Sequence, residues 1–362
     1  MKIIYSFNKR GFEAEFWARE IAAASGPAAE FHPFNHDPYM DPGLYGRAQL
    51  LDNLYYAKDE RLSRLYADLT RKIAELRIDT LVVDNCSPYH PDWLRSLNVY
   101  KVLRISDGPI SAYDRDFAYL HAYDQVLYHS PAYSADLDIR SKLEYCGARN
   151  IDFWPMAVFD AQFEPDRSEE EIFSAERDID VIFIGALHLG KMPLLAQVKK
   201  ALGTRCRIYG LGSWKRKAYL IARFGFPGWV RTIPADAYSA LYRRAKIGFN
   251  VHNRSKYTVG NYRLFELPAN GVMQVSDGGE YLGKFFDVGR EIVGYESSQE
   301  LIEKIRFYLE HSKEREKIAR QGYRRALRDH RIRPRMTELQ NLIRAGMERA
   351  GWKGLAALRR SP

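Results

Sequence analysis

Apolar positions along the chain form two series in which short buried runs alternate with longer stretches of helical spacing. In the first half, KIIYSF (2–7) is closed by Asn8, Lys9, Arg10 and Gly11, the pattern of a buried strand. Phe12, Phe16 and Ile21 then recur near helical spacing, and Leu62, Leu65, Tyr66, Leu69, Ile73 and Leu76 line one helical face. TLVVDN (80–85), VYKVLRISDGP (99–109) and QVLYHS (125–130) read as strands. Pro131 opens a helix that Gly147 closes, and IDFWP (151–155) ends the half.

FWPMAVFDAQFEPDRSEEE (153–171) interrupts the rhythm with prolines and acids, and it reads as an interdomain linker. The alternation then resumes. DVIFIG (180–185), RCRIYG (205–210), WVRTIP (229–234), IGFNVH (247–252), VMQVS (272–276) and EIVGY (291–295) are predicted strands. Residues 191–202, 235–245, 261–270, 298–310 and 313–329 are predicted helices. Strands separated by helices of this length imply βαβ units and parallel sheets. The expected class is α/β, with two doubly wound, Rossmann-like domains at 1–158 and 159–330 and a basic helical tail at 331–362.

Composition narrows the picture. A chain of 362 residues fits two domains, and 13% aromatics suit a packed core rather than a disordered chain. Cys86, Cys146 and Cys206 are too scattered for a disulfide scaffold or a zinc site, so small buried residues in a reducing, cytoplasmic setting are expected. The start, MKIIYSFNKRGFE, has no apolar core of a secretory leader, and no run of about 18 apolar residues occurs. The net charge of +9 resides in one place: residues 313–362 hold 15 of the 55 Lys and Arg but only five of the 46 acids. A nucleic-acid binder would spread basic charge over its fold, so no nucleic-acid partner is expected. The tail reads as a contact for anionic lipid or another polyanion, or as a solvated arginine-rich helix; both stay open.

In open parallel sheets, ligands lie beyond the carboxyl ends of the strands. The densest polar cluster at such an end is NVHNRSKYTVGNYRLFELPANG (250–271). A strand ends in Asn250 and His252, a polar loop follows, and a helix starts near Asn261 with bare N–H groups and the positive end of its dipole. Arg263 adds a cation with a planar fork, and Glu266 follows one turn on, suited to the two hydroxyls of a ribose. An ordinary capped helix with a surface Arg–Glu pair explains the same spacing.

Residues 178–330 resemble the nucleotide-sugar-binding domain of GT-B glycosyltransferases, in particular the group-1-like branch with the spore-maturation glycosyltransferases. NYRLFELPANGVMQVSD (261–277) and GREIVGYESSQELIEKIRFYLEHSKEREKIARQGYRRALRDH (289–330) carry the resemblance. FWPMAVFDAQFEP (153–165), DVIFIGALHLGK (180–191) and ISDGP (105–109) resemble the linker, the first donor-domain strand and an acceptor-domain motif. The resemblance implies a GT-B fold and sugar transfer from a nucleoside diphosphate donor to a glycan, lipid-linked or protein acceptor. It implies that Glu266 binds the ribose, that Arg263 and Lys191 neutralise the diphosphate, and that the Gly185 turn admits the sugar phosphate. Asn250, Asn261 and Tyr262 belong to the same donor loop and helix start, and Thr232 to Pro234 would hold the nucleobase. Many retaining relatives have an acid eight positions before the ribose glutamate, where this chain has Thr258, so sugar and stereochemistry stay open.

No DxD motif is present, and Lys191, Arg263 and the helix end could carry the leaving-group charge, so neither metal nor cofactor is expected. An inverting route would need a general base in the first domain, with Asp107 ahead of His90 and Asp84; Asp107 is also a good turn former. His188 and His252 could polarise the donor sugar or merely pack, with His252 the better candidate for donor contact. WKRKAYLIARFGFPGW (214–229) has the composition of an interfacial helix, and Leu339, Leu342, Ile343 and Met347 line one face of the tail. Together they suggest docking on an anionic membrane; a C-terminal helix crossing back onto the first domain, favoured for 313–335, explains the tail alone. The alternatives are a nucleotide-sugar epimerase of the same fold and a non-catalytic module that binds an anionic polymer or membrane.

Overall fold

The structure is a computed structural model that describes residues 1–40, 47–84, 88–105, 116–130, 138–252 and 259–352. Contacts divide the chain into two compact units, Met1–Pro155 with the segment from Ile332 onward, and Met156–Arg331.

In the first unit, β-branched and aromatic runs form a six-stranded parallel sheet. Its strands are β1 (Lys2–Phe7), β2 (Glu30–Asn35), β3 (Thr80–Asp84), β4 (Tyr100–Ile105), β5 (Gln125–Tyr128) and β6 (Ile151–Phe153), in the order β2-β1-β3-β4-β5-β6. β1 to β6 are buried almost throughout except at β2 and β6, which lie at the two edges. Helix Glu60–Leu76 presents the apolar stripe that the spacing predicts, with Leu62, Leu65, Tyr66 and Leu69 buried. β2 was not expected, because His32 and Pro33 break its pattern; an edge strand tolerates a proline that an interior strand would not. Where a helix was predicted to open at Pro131, helix Ile139–Tyr145 starts after its cap Asp138, and residues 131–137 lie outside the described residues.

The tail is not a separate element. Helix Ile332–Arg349 belongs to the first unit and buries Ile332, Met336, Leu339, Ile343 and Gly346 there. Its carbonyls accept from side chains of the sheet: Leu342 O from Gln125 Nε2 (3.0 Å), Gly346 O from Asn150 Nδ2 (3.0 Å) and Arg335 O from Trp154 Nε1 (2.9 Å). A Cβ at Gly346 would collide with the Gln125 side chain, so the glycine sets how closely the helix approaches. The crossing begins at Ile332 rather than 313, because helix Ser312–Asp329 spends its buried face, Ile318, Ala319, Gly322, Tyr323 and Ala326, inside the second unit.

The second unit has a five-stranded parallel sheet in the order β11-β10-β9-β7-β8. Its strands are β7 (Ile179–Ala186), β8 (Cys206–Leu211), β9 (Ala245–Asn250), β10 (Met273–Ser276) and β11 (Val293–Gly294). The run WVRTIP adds no strand; its backbone forms an isolated bridge between Arg231 and Tyr209. Val181, Phe183, Ile247, Phe249, Met273 and Val275 form the centre of the core beneath helix Met192–Leu202. The linker is tied into this unit by Val158 N–H on His330 O (2.8 Å) and a forked Arg331–Asp160 pair (3.0 and 2.7 Å).

Candidate functional site

The site is built where β7, β9 and β10 end. Asn261 caps helix Tyr262–Ala269, its Oδ1 accepting the Leu264 N–H at 3.1 Å. One of the N–H groups expected to be bare is therefore occupied by the chain's own cap, which leaves the first residues of the helix to face a ligand. The two asparagines are cross-linked: Asn250 Nδ2 donates to Asn261 Oδ1 (3.1 Å) and Asn261 Nδ2 to Asn250 Oδ1 (3.0 Å). β9 is thus pinned to the helix start.

Arg263 lies across this junction. Its Nε donates to Ile184 O (2.5 Å) and its Nη1 to Asn250 Oδ1 (2.8 Å), and the guanidinium stacks on Phe183, 4.5 Å from the ring centroid. Gly185 leaves the space this requires, since a Cβ there would collide with Arg263 Nη2. The glycine at the end of β7 admits a guanidinium rather than leaving an empty backbone face.

Lys191 stands at the start of helix Met192–Leu202 and is 4% exposed. Among the described residues its ammonium makes no hydrogen bond or ion pair. Burial, and then repulsion from Arg263, push its pKa down to about 7, while Asp277 pulls the other way. One buried and one half-buried cation with one nearby carboxylate leave an excess of positive charge partly shielded from water, which is a site for an anion.

Glu266, one turn beyond Arg263, is half-buried, and its Oε1 accepts from Gln162 Nε2 at 2.7 Å. Gln162 is itself fixed by the Phe159 N–H on its Oε1 (2.8 Å). Behind the pair lies Tyr242, whose hydroxyl burial holds well above its usual range, with Glu266 adding to the rise and Arg263 opposing it.

His252 is fully enclosed. Its Nδ1 lies 2.7 Å from Asp277 Oδ1, and its backbone N–H donates to both carboxylate oxygens of Asp277 at 3.0 Å. Nε2 accepts the Gly260 N–H at 3.3 Å and lies 3.3 Å from Asn250 Nδ2. With Nδ1 protonated towards Asp277, both ring nitrogens are engaged within the protein, so this histidine braces the residue that precedes the Asn261 cap.

Residues 191–341 match the family model described as glycosyl transferase-like. Similar solved structures extend over both units. Sucrose-phosphate synthase from Thermosynechococcus elongatus shares 12% identity at a TM-score of 0.63 and covers 96% of this chain and 99% of its own. HepE of Anabaena, solved in complex with UDP, shares 14% at 0.60, covering 95% of this chain and 100% of its own. An α,α-trehalose-phosphate synthase (UDP-forming) from Burkholderia xenovorans, in complex with glucose-6-phosphate, shares 12% at 0.58, covering 95% and 100%. No curated protein matches the sequence. Residues 191–341 are glycosyl transferase-like, and the chain has the GT-B fold of these neighbours.

In this GT-B protein the expected donor residues form two groups. Gly185, Asn250, Asn261 and Arg263 are in mutual contact, with Lys191 close enough to be repelled by Arg263 and Tyr262 opening the shared helix. Thr232 stands apart, at the end of β8: its Oγ1 donates to Gly210 O (3.2 Å) and accepts from Lys217 Nζ (2.6 Å). Asp107 and Thr258 lie outside the described residues. The other two candidates for a base are occupied. Asp84 forms a buried ion pair with Arg104 (2.7 Å), and His90 caps helix Pro91–Ser96, accepts the Asp92 N–H and stacks on Tyr55 at 3.8 Å.

Sequence reasoning did not single out Gln162, Asp277 or Tyr242. Asp277 carried a signal, a carboxylate directly after a buried strand of the parallel sheet. Gln162 carried none, because it meets Glu266 across 104 residues of chain.

Proposed function

We propose that the chain transfers a hexosyl group from a nucleoside diphosphate sugar to an acceptor, with its second unit binding the donor. The observation that carries this reading is buried Lys191 beside half-buried Arg263 at the ends of β7 and β9, one helical turn from a carboxylate held by Gln162. Two cations suit a diphosphate, and Glu266 suits the ribose diol beside it. HepE of Anabaena, solved with UDP and with UDP-glucose, supports a uridine donor. Thr232 and its neighbours then flank the base through backbone groups.

The chemical step asks little of the protein. The bond between the anomeric carbon and the diphosphate oxygen breaks, an acceptor hydroxyl oxygen bonds to that carbon, the charge of the broken bond stays on the leaving diphosphate, and the acceptor's proton passes to that diphosphate. Lys191, Arg263 and the first N–H groups of the helix at Tyr262 stabilise that charge, so the reading requires no metal. We assign His252 and Asp277 the task of holding this helix start. Configuration is retained in this proposal, the acceptor is a glycan, lipid-linked or protein hydroxyl, and Asp107 is the residue to test for an inverting route.

Thermal unfolding with a panel of nucleoside diphosphates tests the reading. A ligand at 100 times its Kd adds about 2.7 kcal/mol of stability. UDP is expected to raise the melting temperature of the wild type, and Glu266→Ala to abolish the rise while the unliganded protein still melts cooperatively. No shift with any nucleotide overturns the proposal in favour of a non-catalytic module.

A further inference from the structure

From Val181 to Ala235 the chain has no acidic residue and ten Lys and Arg. Near the end of this stretch, aromatic residues stand in solvent. Ser213 caps helix Trp214–Phe224, and Gly225, in the left-handed region, ends it. The helix turns Lys217 and Leu220 inward. Trp214 is 65% exposed, Tyr219 53%, and Trp229, just beyond the helix, 55%. Three exposed rings within 16 residues of chain present a large apolar surface.

Each of the three rings has its own cation beside it. Lys215 Nζ lies 5.9 Å from the Trp214 ring, the Arg223 guanidinium 5.8 Å from Tyr219, and Lys217 Nζ 5.5 Å from Trp229. Lys217 is itself buried, its Nζ donating to Val230 O at 3.2 Å beneath the Trp229 ring. Lys215, Arg216, Arg223 and Arg231 are exposed, and among the described residues none pairs with a carboxylate. The basic tail differs: helix Ile332–Arg349 has already buried its apolar face in the first unit.

We infer that the surface formed by Trp214, Lys215, Tyr219, Arg223, Trp229 and Arg231 docks on a bilayer containing anionic lipid. The charge is complementary, uninterrupted by any acid over 55 residues. Rings interspersed with cations match the headgroup boundary, where an aromatic ring lies at the level of the polar groups and a cation meets lipid phosphate. A polyanion in solution would use the cations and leave the tryptophans wet. No described helix is long and apolar enough to cross a membrane, so attachment is to the surface.

Co-sedimentation of the full chain with vesicles tests this without any sugar nucleotide, so its outcome is independent of the donor site. Vesicles of phosphatidylcholine with about one-third phosphatidylglycerol are expected to bind the protein, and pure phosphatidylcholine is not; binding should fall steeply with added salt. Tryptophan emission should shift to shorter wavelength on binding. Lys215→Gln with Arg223→Gln, both exposed, should weaken binding about 25-fold, at about five-fold per charge near an anionic surface. Trp214→Ser should remove much of the spectral shift while the thermal response to UDP stays as in the wild type. Binding that these substitutions leave unchanged, or no preference for phosphatidylglycerol, overturns the inference. Binding to heparin at equal strength with no spectral shift overturns it too, in favour of a soluble polyanion.

Discussion

At the end of β3, Asp84 receives Arg104 Nη1 at 2.7 Å and the Tyr5 hydroxyl at 2.9 Å, with the two charged residues 4% and 3% exposed. At the ends of β7 and β9, Lys191 is likewise withdrawn from water and Arg263 partly so, but each faces another cation, and Asp277 is already committed to His252. The first arrangement neutralises itself, with Arg104 stacked on Trp154 at 4.5 Å as further support. The second holds unfavourable electrostatic energy until an anion arrives. A matched buried pair is a structural device, whereas an unmatched cation at a strand end is a binding device.

Removing one partner from each cluster separates the two roles most sharply. Arg104→Met strands the Asp84 carboxylate in the core and should cost about 3–5 kcal/mol in urea unfolding, with UDP affinity unchanged at temperatures where the protein stays folded. A cost below about 1 kcal/mol would break the comparison. Lys191→Met should do the reverse. UDP affinity, by calorimetry, should fall about 100-fold, since a hydrogen bond to a charged group contributes about 1.5–3 kcal/mol, while the unliganded protein is no less stable.

The lowered pKa of Lys191, about 7 against an ordinary 10.5, gives a pH signature. The unfolded chain keeps this proton up to its ordinary value, and the folded chain releases it near 7. The penalty of burying the charge is therefore complete below about pH 7 and is relieved as pH rises from there towards 10. The melting temperature of the wild type minus that of Lys191→Met should increase across this window. A bound diphosphate should restore the charge, so UDP binding at pH 8 should take up a proton, measurable as a dependence of binding heat on buffer ionisation.

Smaller effects test the geometry around the cations. Gly185→Ala should push the Arg263 guanidinium off Ile184 O and weaken UDP binding about ten-fold, about 1.4 kcal/mol. Asp277→Asn keeps an acceptor for His252 but loses its charge, and should weaken UDP binding only about three- to five-fold, close to the value of one ordinary hydrogen bond. A loss larger than that of Lys191→Met would move His252 and Asp277 from support to direct contact with the donor.

Much of the fold was legible because strand and helix periodicities are local. The runs at 2–7, 80–84 and 180–185 became buried parallel strands, and the helix expected at 261–270 runs over Tyr262–Ala269. β2 escaped because Pro33 hides a strand that only its edge position permits. WVRTIP misled because its composition suits a strand, yet only Arg231 bridges the sheet.

Local spacing determined the two parallel-sheet units, the helix start at Asn261–Arg263 and the amphipathic faces of the 214–224 and 332–349 segments. Tertiary structure decided what those groups meet: Arg263 a carbonyl and a glycine 79 and 78 residues earlier, Glu266 a glutamine in the linker, and the apolar face of the last helix its own first unit rather than a membrane. Periodicity specifies which side of an element is apolar, but the partner of a charge or a face depends on how distant strands register, and no local pattern carries that information.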